Sequence, residues 1–201
     1  EEVVAGFGPG DVQQYWAQQR GRPFVLAVCG QVDRERMLRF AQELERALAS
    51  DKGAYAPPAA EYTNNRKKDI ALPDRNQAHV LALFPAPGKD SMDTAGLKLL
   101  ETVLAGQSGL LFRELRDEEG LAYSVTAFLW QASRGGFMAF YIGTYPDKSQ
   151  QALDGFNQVV QQLHSTPVDA EAIQRGKNLL QGDYYRDHQS LGSRSREAAS
   201  L

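Results

Sequence analysis

Few side chains in this sequence are spaced for chemistry, and two of them stand out. Arg116 and Tyr123 lie seven positions apart in the stretch from Gly106 to Trp130, G-Q-S-G-L-L-F-R-E-L-R-D-E-E-G-L-A-Y-S-V-T-A-F-L-W. A guanidinium and a phenol are strong hydrogen-bond donors, suited to a peptide carbonyl or an oxyanion. Each also has a plainer reading. Arg116 near a helix C-terminus complements the helix dipole and can pair with Asp117 or Glu119, and Tyr123 is an ordinary strand residue.

The other reactive side chains form no recognisable constellation. His79, His164 and His188 are far apart, and no H-x-x-E-H pattern occurs in either sense, so no helical zinc site is expected. His79 alternates with apolar residues, His164 ends a helical pattern, and His188 follows Arg186-Asp187 on a polar face; all three read as structural or surface residues. Gly6-Phe7-Gly8-Pro9-Gly10 lacks the spacing of a dinucleotide loop. Gly106-Gln107-Ser108-Gly109 misses the nucleophile-elbow pattern because Leu occupies position 110. Gly106 and Gly109 read as turn residues. Glu118 and Glu119 point in different directions at a helix end and make a poor acid–base couple. The single Cys29, inside an apolar run, reads as a small buried hydrophobe without an internal disulfide partner.

Positioning Arg116 and Tyr123 requires a helix that gives way sharply to a strand. Leu111 and Leu115 have helical spacing, Gly120 can cap that helix in the left-handed conformation, and an alternating strand is expected over 121–130. A loop through Ser133-Arg134-Gly135-Gly136 should turn the chain into a second strand over 137–144, making an antiparallel hairpin. Before this stretch, Ile70–Leu72, a Pro73-Asp74-Arg75-Asn76 turn and Ala78–Phe84 read as strand, turn, strand. Asp93 should cap a helix with Leu97, Leu100 and Leu104 on one side, closed by Gly106. After it, Asp147 should cap a helix carrying Leu153, Phe156, Val160 and Leu163. A last helix starts at Thr166-Pro167-Val168-Asp169, with Ile173, Leu180 and Tyr184 on one side.

Toward the N-terminus, residues 11–20 read as a short helix capped by Asp11 and broken at Gly21-Arg22-Pro23. Phe24–Cys29 reads as a strand buried on both faces, closed by Gly30. Asp33 should cap a helix with a Met37, Ala41, Leu44 and Leu48 stripe, Phe40 and Ala47 beside it, and a solvated charged face. Periodicity is lost over 49–66, which carries Pro57-Pro58 and Asn64-Asn65, so a linker is expected there. The expected division is therefore a lead-in helix–strand–helix with linker over 1–66 and a main domain over 67–201. The order of elements predicts an α+β fold, an antiparallel or mixed sheet with helices packed on one face.

Composition excludes several classes of function. Against 22 Lys and Arg stand 25 Asp and Glu, a net charge of −3, which disfavours nucleic acid or an anionic membrane as partner. No apolar run approaches the ~18 residues a membrane span needs. The sequence begins Glu-Glu-Val-Val without Met, and it reads as a piece of a longer protein of undetermined compartment.

Leu111 to Val125, L-F-R-E-L-R-D-E-E-G-L-A-Y-S-V, closely resembles the signature of the zinc-free C-terminal domain in the pitrilysin/insulinase family of zinc metallopeptidases. Asp11 to Asp33, with D-V-Q-Q-Y-W and V-L-A-V-C-G-Q-V-D, is similar to the segment joining the two domains of a family half-molecule. P-D-R-N-Q-A-H-V-L-A-L-F-P-A-P and G-S-R-S-R-E-A-A-S also resemble it. The resemblance implies the half-domain fold shared with mitochondrial processing peptidases. It implies that the chain faces a zinc-bearing domain of the same or a companion chain, with no metal or cofactor of its own. It further implies that an extended peptide lies between the halves, its backbone held by Arg116 and Tyr123 while zinc and an activated water act from the other domain. The isolated chain should then be inactive. The rival implication is a non-catalytic scaffold or peptide-binding subunit of the same family. Homodimerisation through the edge of the Phe24–Cys29 strand is a further expectation.

Overall fold

A computed structural model of the chain describes residues 2–20, 22, 24–48, 60–62, 67–72 and 75–200. They belong to two compact units, one drawn from Glu1–Ala56 and Tyr184–Leu201, the other from Pro57–Asp183.

The second unit carries the sheet. Its strands are β1 (Ala78–Ala86), β2 (Ser124–Ala132) and β3 (Gly135–Thr144), antiparallel in the order β1-β3-β2. Alternation decides the two faces. Val80, Ala82 and Phe84 of β1, Val125, Ala127 and Leu129 of β2, and Met138, Phe140 and Ile142 of β3 turn toward the helices. There they meet Leu104 of α4 (Thr94–Leu104), Leu111 of α5 (Leu110–Phe112), and Ala152, Phe156 and Val159 of α6 (Ser149–Ser165). This is the α+β arrangement expected, with helices on one face of an antiparallel sheet. The opposite face carries Leu81 and Leu83 on one edge strand and Phe128 and Trp130 on the other, all exposed, with Trp130 stacked on Phe137 of the central strand at 5.4 Å.

The hairpin is tighter than expected. Ala132 pairs with Gly135, so only Ser133 and Arg134 form the loop and both glycines join β3. Gly136 is needed there as a space, because a Cβ would run into the Trp130 carbonyl and Gln131; its N–H donates to Tyr62 Oη at 2.7 Å, which in turn donates to Ala86 O at 3.0 Å. α7 (Ala170–Asp187) packs its Gly176 against Leu99 of α4, and its residues from Tyr184 onward fall in the first unit.

Several expected details are corrected. Ile70–Leu72 forms no strand, because nothing among the described residues pairs with it. Strand β2 starts at Ser124 rather than Leu121, since the three residues before it complete the helix-to-strand reversal. Asp147 caps no helix: it lies in a 3-10 turn, Pro146–Lys148, and Lys148 is the N-cap of α6. Asp93 is the N-cap of α4 but makes no capping bond with its side chain. On α7, Ile173 and Leu180 are half-buried while Tyr184 is exposed.

In the first unit, a short helix α1 (Glu2–Ala5) precedes α2 (Pro9–Gln19). The latter begins two residues before Asp11, with Gly8 as N-cap and the Asp11 carboxylate accepting from Gly8 N–H at 2.8 Å. Helix α3 (Arg34–Leu48) opens on Asp33, which accepts from Arg36 N–H at 3.1 Å. Its half-buried positions are Met37, Ala41, Leu44 and Leu48, the expected stripe. Phe24–Cys29 is neither a strand nor buried. Val25 is 71% exposed, because β propensity yields a strand only where a neighbour completes the ladder, and none of the described residues does. Cys29 is accordingly half-exposed. In α8 (Leu191–Ser200), Glu197 pairs with His188, whose ring packs on Tyr184. The expected breaks at Gly21 and Pro23, the Pro57-Pro58 and Asn64-Asn65 pairs, Arg66, and the Pro73-Asp74 half of the turn lie outside the described residues.

Candidate functional site

The site grows from the reversal between α5 and β2. Helix α5 passes into a π-helical turn over Arg113–Glu118. Glu119 N–H donates to Glu114 O at 3.2 Å, and Leu121 N–H reaches back to Leu115 O at 2.9 Å. Such widened turns are uncommon and frequent at functional sites. Leu111, Leu115 and Leu121 are fully buried, so three apolar anchors hold the turn to the core. Between the last two anchors the chain must bulge, and Arg116, Asp117 and Glu118 are left in solvent. Gly120, at φ +60°, supplies the left-handed residue that ends the helix.

The strand side is held just as firmly. The buried Thr144 hydroxyl donates to Leu121 O at 2.6 Å, and Tyr123 N–H donates to Gly143 O at 2.9 Å. With its backbone tied to β3, Tyr123 has its side chain turned outward and is 81% exposed. It lines a cleft of about 790 Å³ at the end of the sheet. Arg75, Gln77 and His79 form one wall as the chain enters β1, and Thr144 and Tyr145 close the end of β3. No carboxylate belongs to its described lining, so the side chains there offer hydrogen-bond donors around a single full charge, that of Arg75.

Arg116 is also exposed, with its guanidinium 4.7 Å above the Phe112 ring, and it does not line the cleft. No hydrogen bond joins its side chain to Tyr123. The reversal thus carries both residues to the surface and places Tyr123 alone on the cleft wall. Arg75, Gln77, His79 and Tyr145 were not legible as site residues, because only the pairing of β1 and β2 on either side of β3 gathers them.

The three histidines are held separately. His79 Nδ1 lies 2.8 Å from Tyr141 Oη, and the Nδ1 atoms of His164 and His188 lie 2.8 and 2.7 Å from carbonyls one helical turn back. Among the described residues no group of three His, Cys, Asp or Glu side chains is placed to hold a metal ion.

Comparison with known proteins gives a consistent family. A family model described as the peptidase M16 inactive domain matches residues 11–180. An uncharacterized zinc protease of Mycobacterium leprae is 27% identical over 163 residues, covering 79% of this chain and 36% of the relative. The crystal structure of a protease from Helicobacter pylori superimposes with a TM-score of 0.73 at 16% identity, over 96% of this chain and 48% of that one. A peptidase M16 inactive domain from Pseudomonas fluorescens gives 0.70 at 16% identity, over 97% and 47%. These two share its fold. The chain spans less than half the length of the curated relatives it matches.

Proposed function

Because this chain belongs to the peptidase M16 inactive-domain family, we propose that it holds the main chain of an extended peptide opposite a separate, zinc-bearing domain of a metalloendopeptidase. The observation that carries this reading is Tyr123: its backbone is tied to Gly143 and its phenol is free in a donor-lined cleft. A phenol on a backbone anchored this way can donate to a peptide carbonyl. Arg116, on the same reversal, supplies a second donor to the peptide from beside the cleft. Recognition through the main chain gives weak selectivity for side chains, which suits an enzyme that cuts unfolded peptides.

Among the described residues no cluster of His, Cys, Asp or Glu side chains is placed to hold a zinc ion. On this reading zinc belongs to the other domain, on the same polypeptide or a companion chain. By itself this chain should cleave no peptide and take up no stoichiometric zinc, and adding the zinc-bearing domain should restore cutting. In the complete enzyme Tyr123→Phe should lower turnover by on the order of 10²–10³, the usual effect of removing one oxyanion donor. Unchanged kinetics, or cleavage by the chain alone, would overturn the proposal.

A further inference from the structure

We infer that His79 is a further substrate-binding residue, donating from Nε2–H to a peptide carbonyl in the cleft, and that Tyr141 is the positioning residue that sets its tautomer. This rests on the reading of the cleft as a peptide site.

The argument starts from register. His79 of β1 and Ser124 of β2 both stand opposite Gly143 of the central strand, on the face away from the helices. Tyr141, two residues earlier on β3, is the diagonal neighbour of His79. Its hydroxyl lies 2.8 Å from His79 Nδ1, and the two rings stack with centroids 5.9 Å apart. A phenol donates more readily than it accepts, so the pair settles with Tyr141 O–H donating to Nδ1. The ring proton then sits on Nε2. The imidazole is exposed and lines the same cleft as Tyr123. With Nδ1 committed, Nε2–H is its free donor.

Gly143 lets the side chains around it draw together over the central strand. A side chain there would begin 3.0 Å from Ser124 Oγ, 3.4 Å from Tyr141 Oη and 3.5 Å from Gln77 Nε2. Because the position is glycine, three polar side chains close over a buried stretch of backbone beside His79. A peptide whose carbonyl meets Tyr123 would offer a further carbonyl to His79, which lines the same cleft. In an extended peptide the carbonyls on one edge recur every second residue, so the two donors serve alternate peptide units.

Two measurements on the 201-residue chain test this. Nitrogen NMR of the histidine rings, above the pH range where imidazole protonates, should show His79 as a single Nε2–H tautomer, and Tyr141→Phe should turn it into a mixture. Titration with an acetylated, amidated alanine–serine octapeptide should shift the His79 and Tyr123 ring signals together. His79→Phe keeps the stack on Tyr141 and removes the donor, and it should weaken Kd about two- to tenfold, the range for one hydrogen bond. His79→Gln, whose amide places an N–H near Nε2, should recover most of that loss. An Nδ1–H tautomer in the unaltered chain overturns the inference. So does a Kd unchanged in His79→Phe when Tyr123→Phe weakens it, a result that leaves the proposed function standing. If millimolar peptide moves neither ring, the peptide-site reading and this inference fall together.

Discussion

Replacing Gly155 by Ala tests whether the π turn bearing Arg116 is held by packing. Gly155 lies fully buried in α6, and a methyl group there would overlap Leu115 Cδ2, itself with no exposed surface. Helix propensity alone says the substitution should help, by about 0.5–1 kcal/mol for Gly to Ala in a helix interior. Overpacking a closed core costs about 1–3 kcal/mol. Leu115 cannot swing away, because Leu111 and Phe156 belong to the same buried cluster, so the second effect should win by about 1–2 kcal/mol. Urea unfolding, followed by the fluorescence of Trp130 in a Trp16→Phe background, reads this difference in the sheet-bearing unit. Leu115→Ala alone should cost about 2–5 kcal/mol. The double variant should cost less than the two together, because the new methyl occupies part of the space Leu115 vacates. A neutral or stabilised Gly155→Ala, or strict additivity, would refute the reasoning.

Other outcomes follow from the same reversal. Thr144→Val leaves the Leu121 carbonyl without its donor in a buried place and should cost about 1–3 kcal/mol in the same unfolding measurement. Gly120→Ala meets no neighbouring atom but must adopt φ +60°, costing about 1–2 kcal/mol, whereas Gly120→Asn should cost less because Asn tolerates that region. Tyr123→Phe, at an exposed site, should leave stability within about 0.5 kcal/mol, so any loss of turnover in the complete enzyme is chemical in origin.

The helical stripes were legible wherever local pattern and final packing agree. Met37, Ala41, Leu44 and Leu48 could be named from spacing and are the half-buried positions of α3. The left-handed Gly120 was legible for the same reason, since a helix that must end within one residue needs a position free of Cβ strain. Phe24–Cys29 failed the same kind of reading because a strand is not a local object. Its apolar run sets a propensity, and the hydrogen bonds that would realise it must come from elsewhere. The π turn was not legible either: nothing in R-E-L-R-D-E reports that Leu115 and Leu121 will both be pulled into one core.

What the amino-acid order determined alone is the class of fold, the family, and a helix-to-strand reversal offering a cation and a phenol. Those properties depend on periodicity, turn chemistry and a specific run of residues, all local along the chain. Tertiary structure alone decided that Tyr123 faces a cleft while Arg116 lies over Phe112 outside it, and that His79 lines the same cleft as Tyr123. Strand order and register bring positions 79, 123, 141 and 143 to one end of the sheet. Such pairings across the sheet are set by the burial of the opposite face, which spacing along the chain does not record.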